Sequence, residues 1–262
     1  MGLGAGSVSE SFSQWTKLLW SRIEGSIFES LAMTEKLYLE DMYARKAEAT
    51  VTQIDGTFLL LDRTLFFAEG GGQVGDTGTI DGIRVVDTQK KIGPKSKLLT
   101  HPDFPAITVN TDTVHILEAV DGGLKVGDKV NLQIDWDRRY AIMRIHSATH
   151  VVLLCVHRIL GELPVKGCLL QPDKGRIDFS GKIPSSRMEE IEEACNRFIA
   201  KSLEIKNVSL EGEKEALYWR CDDHSIPCGG THVRNTKEIG PICLKRRSQG
   251  KNLDRIYIEL TG

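Results

Sequence analysis

The chain has 262 residues, enough for one large domain or two modest ones with a core that needs no disulfide or metal staple. Its 40% hydrophobic and 27% charged residues are ordinary for a soluble globular protein. A net charge of −2, from 34 basic and 36 acidic residues, neither announces a nucleic-acid binder nor excludes a local basic face. No secretory signal and no apolar stretch long enough to span a bilayer is readable, so the expectation is a cytoplasmic protein with no membrane partner. In that reducing setting the six cysteines, at 155, 168, 195, 221, 228 and 243, read as thiols or metal ligands.

Residues 1–32 form a separate extension. Phe12, Trp15, Leu19, Ile23 and Ile27 recur at spacings of three to four, which predicts an amphipathic helix. From 33 to 136 the pattern is that of strands. Ala47–Ile54 and Thr57–Leu61 flank Asp55-Gly56, and Asp81-Gly82 separates Gly78–Ile80 from Ile83–Val86, both strong hairpin signals. Val114–Ala119 and Lys129–Ile134 complete a set of short strands that predicts a small β-barrel domain. Pro94, Pro102 and Pro105 mark Lys90–Thr108 as a surface loop.

Residues 137–262 follow a different period. Arg138–Leu160 reads as a long helix stopped by Gly161. Strands are expected at Cys168–Gln171 and Arg176–Phe179. A second helix starts near Ser186, which has capping-box spacing to Glu189, and presents Met188, Ile191, Cys195, Phe198 and Ile199. Alternation returns at Ile242–Arg246 and Arg255–Leu260. The fold class is therefore α+β, a barrel domain followed by an α+β domain.

Two motifs carry chemistry. His146-Ser147-Ala148-Thr149-His150 places two imidazoles four residues apart on the long helix, where both can reach one ion. No Glu follows the first His, so the metalloprotease motif is absent. Cys228-Gly229-Gly230-Thr231-His232 repeats the spacing in a glycine-rich loop. One thiolate and three imidazoles match zinc's preferences and suffice for one tetrahedral site per chain. A third motif, Phe67-Ala68-Glu69-Gly70-Gly71-Gly72-Gln73 with Asp76 and Gly78, offers backbone that can approach a ligand closely. It lacks the Gly-Lys-Ser/Thr ending of a P-loop. Lys245, Arg246, Arg247, Lys251 and Arg255 form a basic cluster suited to phosphates.

Taken together, the motifs resemble the editing domain of alanyl-tRNA synthetase and its freestanding relatives, the AlaX proteins, in their larger form. The resemblance extends through Lys166-Gly167, Arg176–Ser180 and, after the second pair, Thr236, Glu238, Ile239 and Gly240, covering roughly residues 40–260. Val165 stands where synthetase editing domains carry glutamine, Cys168 where they carry serine, and Ala68 where relatives often have proline. The resemblance implies a zinc-dependent hydrolase that deacylates mischarged Ser-tRNA(Ala), and Gly-tRNA(Ala) in addition. His146, His150, Cys228 and His232 are the metal ligands it implies, with His232 either the fourth ligand or an outer partner. Gln73, Asp76, Lys166, Gly167 and Thr231 are substrate-binding candidates, and Lys245, Arg246, Arg247, Lys251 and Arg255 are tRNA contacts. No catalytic general base is assigned; Asp76, Asp178 and Glu238 are candidates by chemistry alone. Three readings stay open beside it: a non-catalytic zinc-bound RNA-binding module, an editing domain for another tRNA such as Ser-tRNA(Thr), and a zinc hydrolase of small esters.

Overall fold

The computed structural model describes residues 33–119, 123–250 and 252–261. The expected helix over residues 1–32 and the basic Lys251 lie outside the described residues. β1 (Glu35–Lys36) leads through a single 3-10 turn to β2 (Lys46–Asp55), which pairs antiparallel with β3 (Phe58–Leu61) across Gly56-Thr57. β4 (Arg63–Thr64) returns parallel to β1. β5 (Gly78–Ile80) and β6 (Ile83–Lys91) form the second Asp-Gly hairpin. β7 (Lys97–His101), β8 (Phe104–Val109), β9 (Asp112–Leu117) and β10 (Lys129–Ile134) complete this half.

Six of these strands close into a barrel in the order β10-β2-β3-β9-β6-β5. Its interior is filled by alternate residues of each strand, among them Val51, Leu59, Leu61, Val85 and Leu132. Lys90–Thr108 is not the expected surface loop. β6 runs on to Lys91, and β7 and β8 pair as a separate two-stranded ribbon. The prolines are compatible with strands here because a two-stranded ribbon has only edge strands, where an outward-facing N–H makes no ladder bond. Pro102 sits in the turn and Pro105 on such an edge.

The second half opens with α1 (Trp136–Leu160). The Asp135 side chain accepts from the Arg138 backbone N–H, which starts the helix two residues earlier than its periodicity suggests. Next come β11 (Val165–Leu170) and β12 (Gly175–Ser180), then α2 (Met188–Ala200). The expected Ser186–Glu189 capping box is absent. After Pro184 the chain makes a 3-10 turn over Ser185–Arg187, so Arg187 occupies the cap and no side chain bonds there. A three-stranded sheet of β13 (Ile205–Leu210), β14 (Glu213–Cys221) and β15 (His224–Pro227) follows, none of it anticipated. β16 (Ile242–Ser248) and β17 (Leu253–Leu260) join β11 and β12 in a four-stranded sheet ordered β11-β12-β17-β16.

One face of that sheet, with Ile177, Phe179, Ile256 and Ile258, packs on α1 and α2. The other face is polar. This is a strand-rich α+β architecture with two α-helices among the described residues. No helix among them is long and apolar enough to cross a membrane.

A buried ion pair joins the halves. Arg139, at the start of α1, donates through Nε and Nη2 to both oxygens of Asp76, and both residues are almost fully buried. The remaining guanidinium protons reach the carbonyls of Met42 and Leu65, while Asp76 also accepts the Phe67 N–H. With every polar atom partnered, the desolvation cost of the pair is offset and the barrel is registered against the helix.

Candidate metal centre

His146 and His150 lie one turn apart on α1 with their rings stacked, centroids 5.0 Å apart. Cys228 and His232 come from the loop after β15. The four donor atoms all lie within 4.8 Å of one another, so the group can hold a metal ion. Cys228 Sγ is 3.3 Å from His146 Nε2 and 3.5 Å from His232 Nε2, and His150 Nε2 is 3.2 Å from His232 Nε2.

Neighbouring groups set which nitrogens face inward. His146 Nδ1 sits 2.9 Å from Gln73 Oε1 and His232 Nδ1 2.8 Å from Asn207 Oδ1. Amide oxygens only accept, so each Nδ1 carries the proton and each Nε2 keeps its lone pair for the centre. His150 is fixed by stacking on the buried indole of Trp219, with centroids 4.9 Å apart. Burial pushes His150 down to about 3, and burial with the neighbouring imidazoles holds His146 and His232 well below the usual histidine value. Burial likewise pushes the Cys228 thiol up to about 12. All three imidazoles are therefore held neutral, and a bound cation would displace the thiol proton.

The glycine-rich segment of the barrel completes the site. Gly71 and Gly72 have φ of 62° and 86°, the pair of positive angles that a type I′ turn requires and side chains resist. The turn is closed by reciprocal 3.0 Å bonds between the Gly70 and Gln73 backbones. It thrusts the buried Gln73 side chain between the motifs. Gln73 Oε1 also accepts the Thr231 N–H at 3.0 Å, and Gln73 Nε2 donates to Thr231 Oγ1 at 2.9 Å. Gly230 lets the loop pass here, since a Cβ would fall 2.2 Å from His146 Cε1.

A cavity of about 460 Å³ opens beside the four donors. Its walls come from both halves and from the β7–β8 ribbon, through residues such as Tyr38, Phe104, Ile107, Leu153 and Leu217. His146, His150 and Cys228 line one side; Lys36, Lys90 and Glu215 also reach it.

The candidates from sequence are distributed unevenly around this cavity. Gln73 and Thr231 are buried against the donors, their polar groups engaged with each other and with His146. Asp76 faces Arg139 instead of the cavity. Lys166 is exposed at a bulge in β11, beside Val165, which lines the cavity, and Gly167 pairs with Asp178. Asp178 is clamped by Arg255 and Arg176, and Glu238 accepts from Tyr43, Tyr140 and the Arg234 and Asn235 backbones. Lys245, Arg246, Arg247 and Arg255 lie on β16 and β17. Asn207 and Trp219 sit on strands that the sequence did not reveal, and no periodicity singled them out.

Two protein-family models match the chain: tRNA synthetases class II (A) over residues 23–138, and the threonyl and alanyl tRNA synthetase second additional domain over residues 219–257. The alanyl-tRNA editing protein AlaX-M of Pyrococcus horikoshii is 36% identical over 232 residues, covering 87% of this chain and 98% of that protein. AlaX-M of Saccharolobus solfataricus is 34% identical over 251 residues, 86% of this chain and 98% of its own length. The alanine–tRNA ligase of Saccharolobus islandicus is 33% identical over 241 residues, which are 81% of this chain but 25% of the ligase.

Proposed function

The chain belongs to the AlaX-M family of alanyl-tRNA editing proteins, and on that premise we propose that it hydrolyses the ester joining serine, and also glycine, to alanine tRNA, with one zinc ion per chain. Residues 33–136 supply Gln73 and one wall of the cavity, and residues 137–262 supply the metal ligands.

The observation that carries this reading is a cluster of four donors, three of which line a cavity sized for more than an amino acid. For a tetrahedral zinc, with nitrogen at about 2.0–2.1 Å and sulfur at about 2.3 Å, adjacent ligands stand about 3.3–3.6 Å apart. Three of the six donor separations, 3.2, 3.3 and 3.5 Å, lie close to those spacings, and all four donors fall within 4.8 Å of one another. His146, His150 and His232 through Nε2 and Cys228 through Sγ would hold it. Zinc, when bound, polarises an ester carbonyl or lowers the pKa of a bound water to about 7.

The protein's own groups do the rest. Gln73 and Asn207 fix two ligand rings. The apolar walls exclude water around an aminoacyl ester and the ribose that carries it, a volume within the range of small-ligand sites. Discrimination against correctly charged alanine follows if a buried group bonds the serine hydroxyl, because alanine leaves that group unpaired. No carboxylate is placed as a general base, since Asp76, Asp178 and Glu238 are all committed to internal partners.

For the tRNA we assign the polar face of the four-stranded sheet. Strand register sets Lys245 against Tyr257, Tyr257 against Arg176, and Arg247 against Arg255, so the four cations share one face. Lys166 borders the same sheet on β11.

The test is deacylation of Ser-, Gly- and Ala-tRNA(Ala) by the wild type and by Cys228→Ala. Wild type is expected to release serine and glycine faster than alanine, with the variant losing activity together with its metal. A wild type that leaves all three esters intact overturns the hydrolase; a fully active Cys228→Ala overturns the metal assignment.

A further inference from the structure

Three charged side chains reach the cavity away from the metal ligands, and they are not equally satisfied. Lys36 is ion-paired with Glu215 and donates to Thr111 Oγ1 at 3.2 Å, so that positive and negative charge cancel. Lys90, projecting from β6, has no hydrogen bond or ion pair within 4 Å among the described residues, although it is half-buried. Its burial and the charge of Lys36 hold its ammonium below the ordinary lysine value, and Glu215 only partly opposes this. An ammonium under-compensated in this way favours an anionic guest.

The position of Lys90 fixes where that guest sits. Its Nζ lies 2.7 Å from the point where a Gly70 Cβ would project, so it crosses directly over the glycine turn. Gln73, at the other end of the same turn and bonded to Gly70, touches His146. Lys90 and the metal centre are thus two ends of one short stretch of cavity wall. In an aminoacyl nucleotide the ester and the 5′-phosphate are likewise attached at opposite ends of one ribose.

We propose that Lys90 binds the phosphate of the terminal nucleotide that bears the amino acid, giving the cavity a nucleotide-phosphate subsite. The inference rests on the hydrolase reading above. It deepens that reading by making the last phosphodiester, and not only the acceptor stem, part of what is recognised. A charge-assisted contact of this kind is a binding contribution: it holds the ribose so that the ester meets the donor cluster.

Lys90→Gln and Lys90→Arg separate the possibilities. On Ser-tRNA(Ala), Lys90→Gln is expected to raise KM about 10-fold, with the loss falling on KM rather than kcat, and Lys90→Arg to restore most of it. The salt dependence of log(kcat/KM) should flatten by about 0.7 in Lys90→Gln, the loss of one single-strand phosphate contact. The penalty should be larger on 2′(3′)-O-seryl-adenosine 5′-phosphate than on 2′(3′)-O-seryl-adenosine, which lacks the phosphate. Equal penalties on both esters, or a Lys90→Gln with wild-type KM and salt slope, would overturn the subsite while leaving the hydrolase standing. A wild type inactive on Ser-tRNA(Ala) would instead remove the hydrolase on which the subsite depends.

Discussion

Gln73 Oε1 meets His146 Nδ1 at 2.9 Å, joining the glycine turn of the barrel to the first ligand on α1. The same oxygen takes the Thr231 N–H and the same amide donates to Thr231 Oγ1, so one side chain orients both ligand-bearing segments. The glycine-rich motif thus braces the donor cluster through Gln73, while its Gly70 and Gly71 line the cavity.

Removing that support should weaken metal binding without unfolding the chain. Gln73→Ala leaves His146 Nδ1 without its acceptor and frees the ring to rotate. Supporting partners of this type are worth about 10–100-fold in metal affinity. Competition against a chelator of known affinity should show a loss of that size, with circular dichroism unchanged. Wild-type affinity in Gln73→Ala would mean that the bond has no part in holding the ligand.

The two glycines of the second motif should behave oppositely. A Cβ on Gly230 would lie 2.2 Å from His146 Cε1 and 2.8 Å from Gln73 Oε1, and neither neighbour is free to retreat. A Cβ on Gly229 would meet only the Glu215 carbonyl, at 3.5 Å. Gly230→Ala is therefore expected to lose metal and activity, whereas Gly229→Ala retains both. Bound metal per chain, measured by elemental analysis of the purified variants, decides it; equal occupancy in the two would refute the close-approach argument.

On β16, adjacent arginines are put to different uses. Arg246 donates to the buried Asp254 at 2.8 Å and to Ser185. Burial alone would raise the Asp254 carboxyl, but the Ile183 N–H, Lys182, Arg246 and Ser248 hold it below its ordinary value. Arg247 is exposed and stands opposite Arg255, whose own charge is taken up by Asp178. Like charges facing across strands do not stabilise a sheet. Arg246→Ala should cost about 1.5–3 kcal/mol of stability by denaturant titration, the scale of a hydrogen bond to a charged group. Arg247→Ala should leave stability unchanged, weaken tRNA binding, and lower the salt slope by about one. A destabilised Arg247→Ala, or one that binds tRNA normally, would count against the assigned face.

The cluster of His146, His150, Cys228 and His232 that could hold a metal was legible in the sequence because both pairs rest on local geometry, four residues apart on a helix or across a tight loop. Hairpins at Asp55-Gly56 and Asp81-Gly82 were legible for the same reason. What escaped depends on contacts distant in sequence. Asn207 and Trp219 matter only because β13 and β14 bring them against His232 and His150, and those strands alternate too irregularly to be recognised. Ser186 had the spacing of a cap without its geometry, while the true capping box, Asn235 with Glu238, sits on a four-residue 3-10 turn too short to show periodicity. Asp76 carried the chemistry of a site residue, whereas its pairing with the buried Arg139 could not be read from the sequence.

The barrel contains its own pH-sensitive element in His115. Its ring is buried, with Nδ1 3.1 Å from the Leu59 carbonyl and Nε2 2.7 Å from Thr64 Oγ1. The Leu59 carbonyl only accepts, so Nδ1 carries the ring proton, Nε2 accepts the Thr64 hydroxyl, and the neutral ring is fully partnered. Burial pushes His115 down to about 4, although the Leu59 carbonyl opposes it. The unfolded chain then binds more protons than the folded one between about pH 6.5 and 4. Stability is unaffected by this group above that window and falls as pH drops through it, by roughly 3 kcal/mol in all. His115→Gln, which cannot charge, should be less stable than wild type at pH 7.5, and the gap should narrow as the pH is lowered to 4.5. Because the metal-site histidines are common to both proteins, their titration cancels in the difference between urea unfolding free energies. A gap that stays constant across this range would show that His115 is charged, or uncharged, equally in the folded and unfolded states.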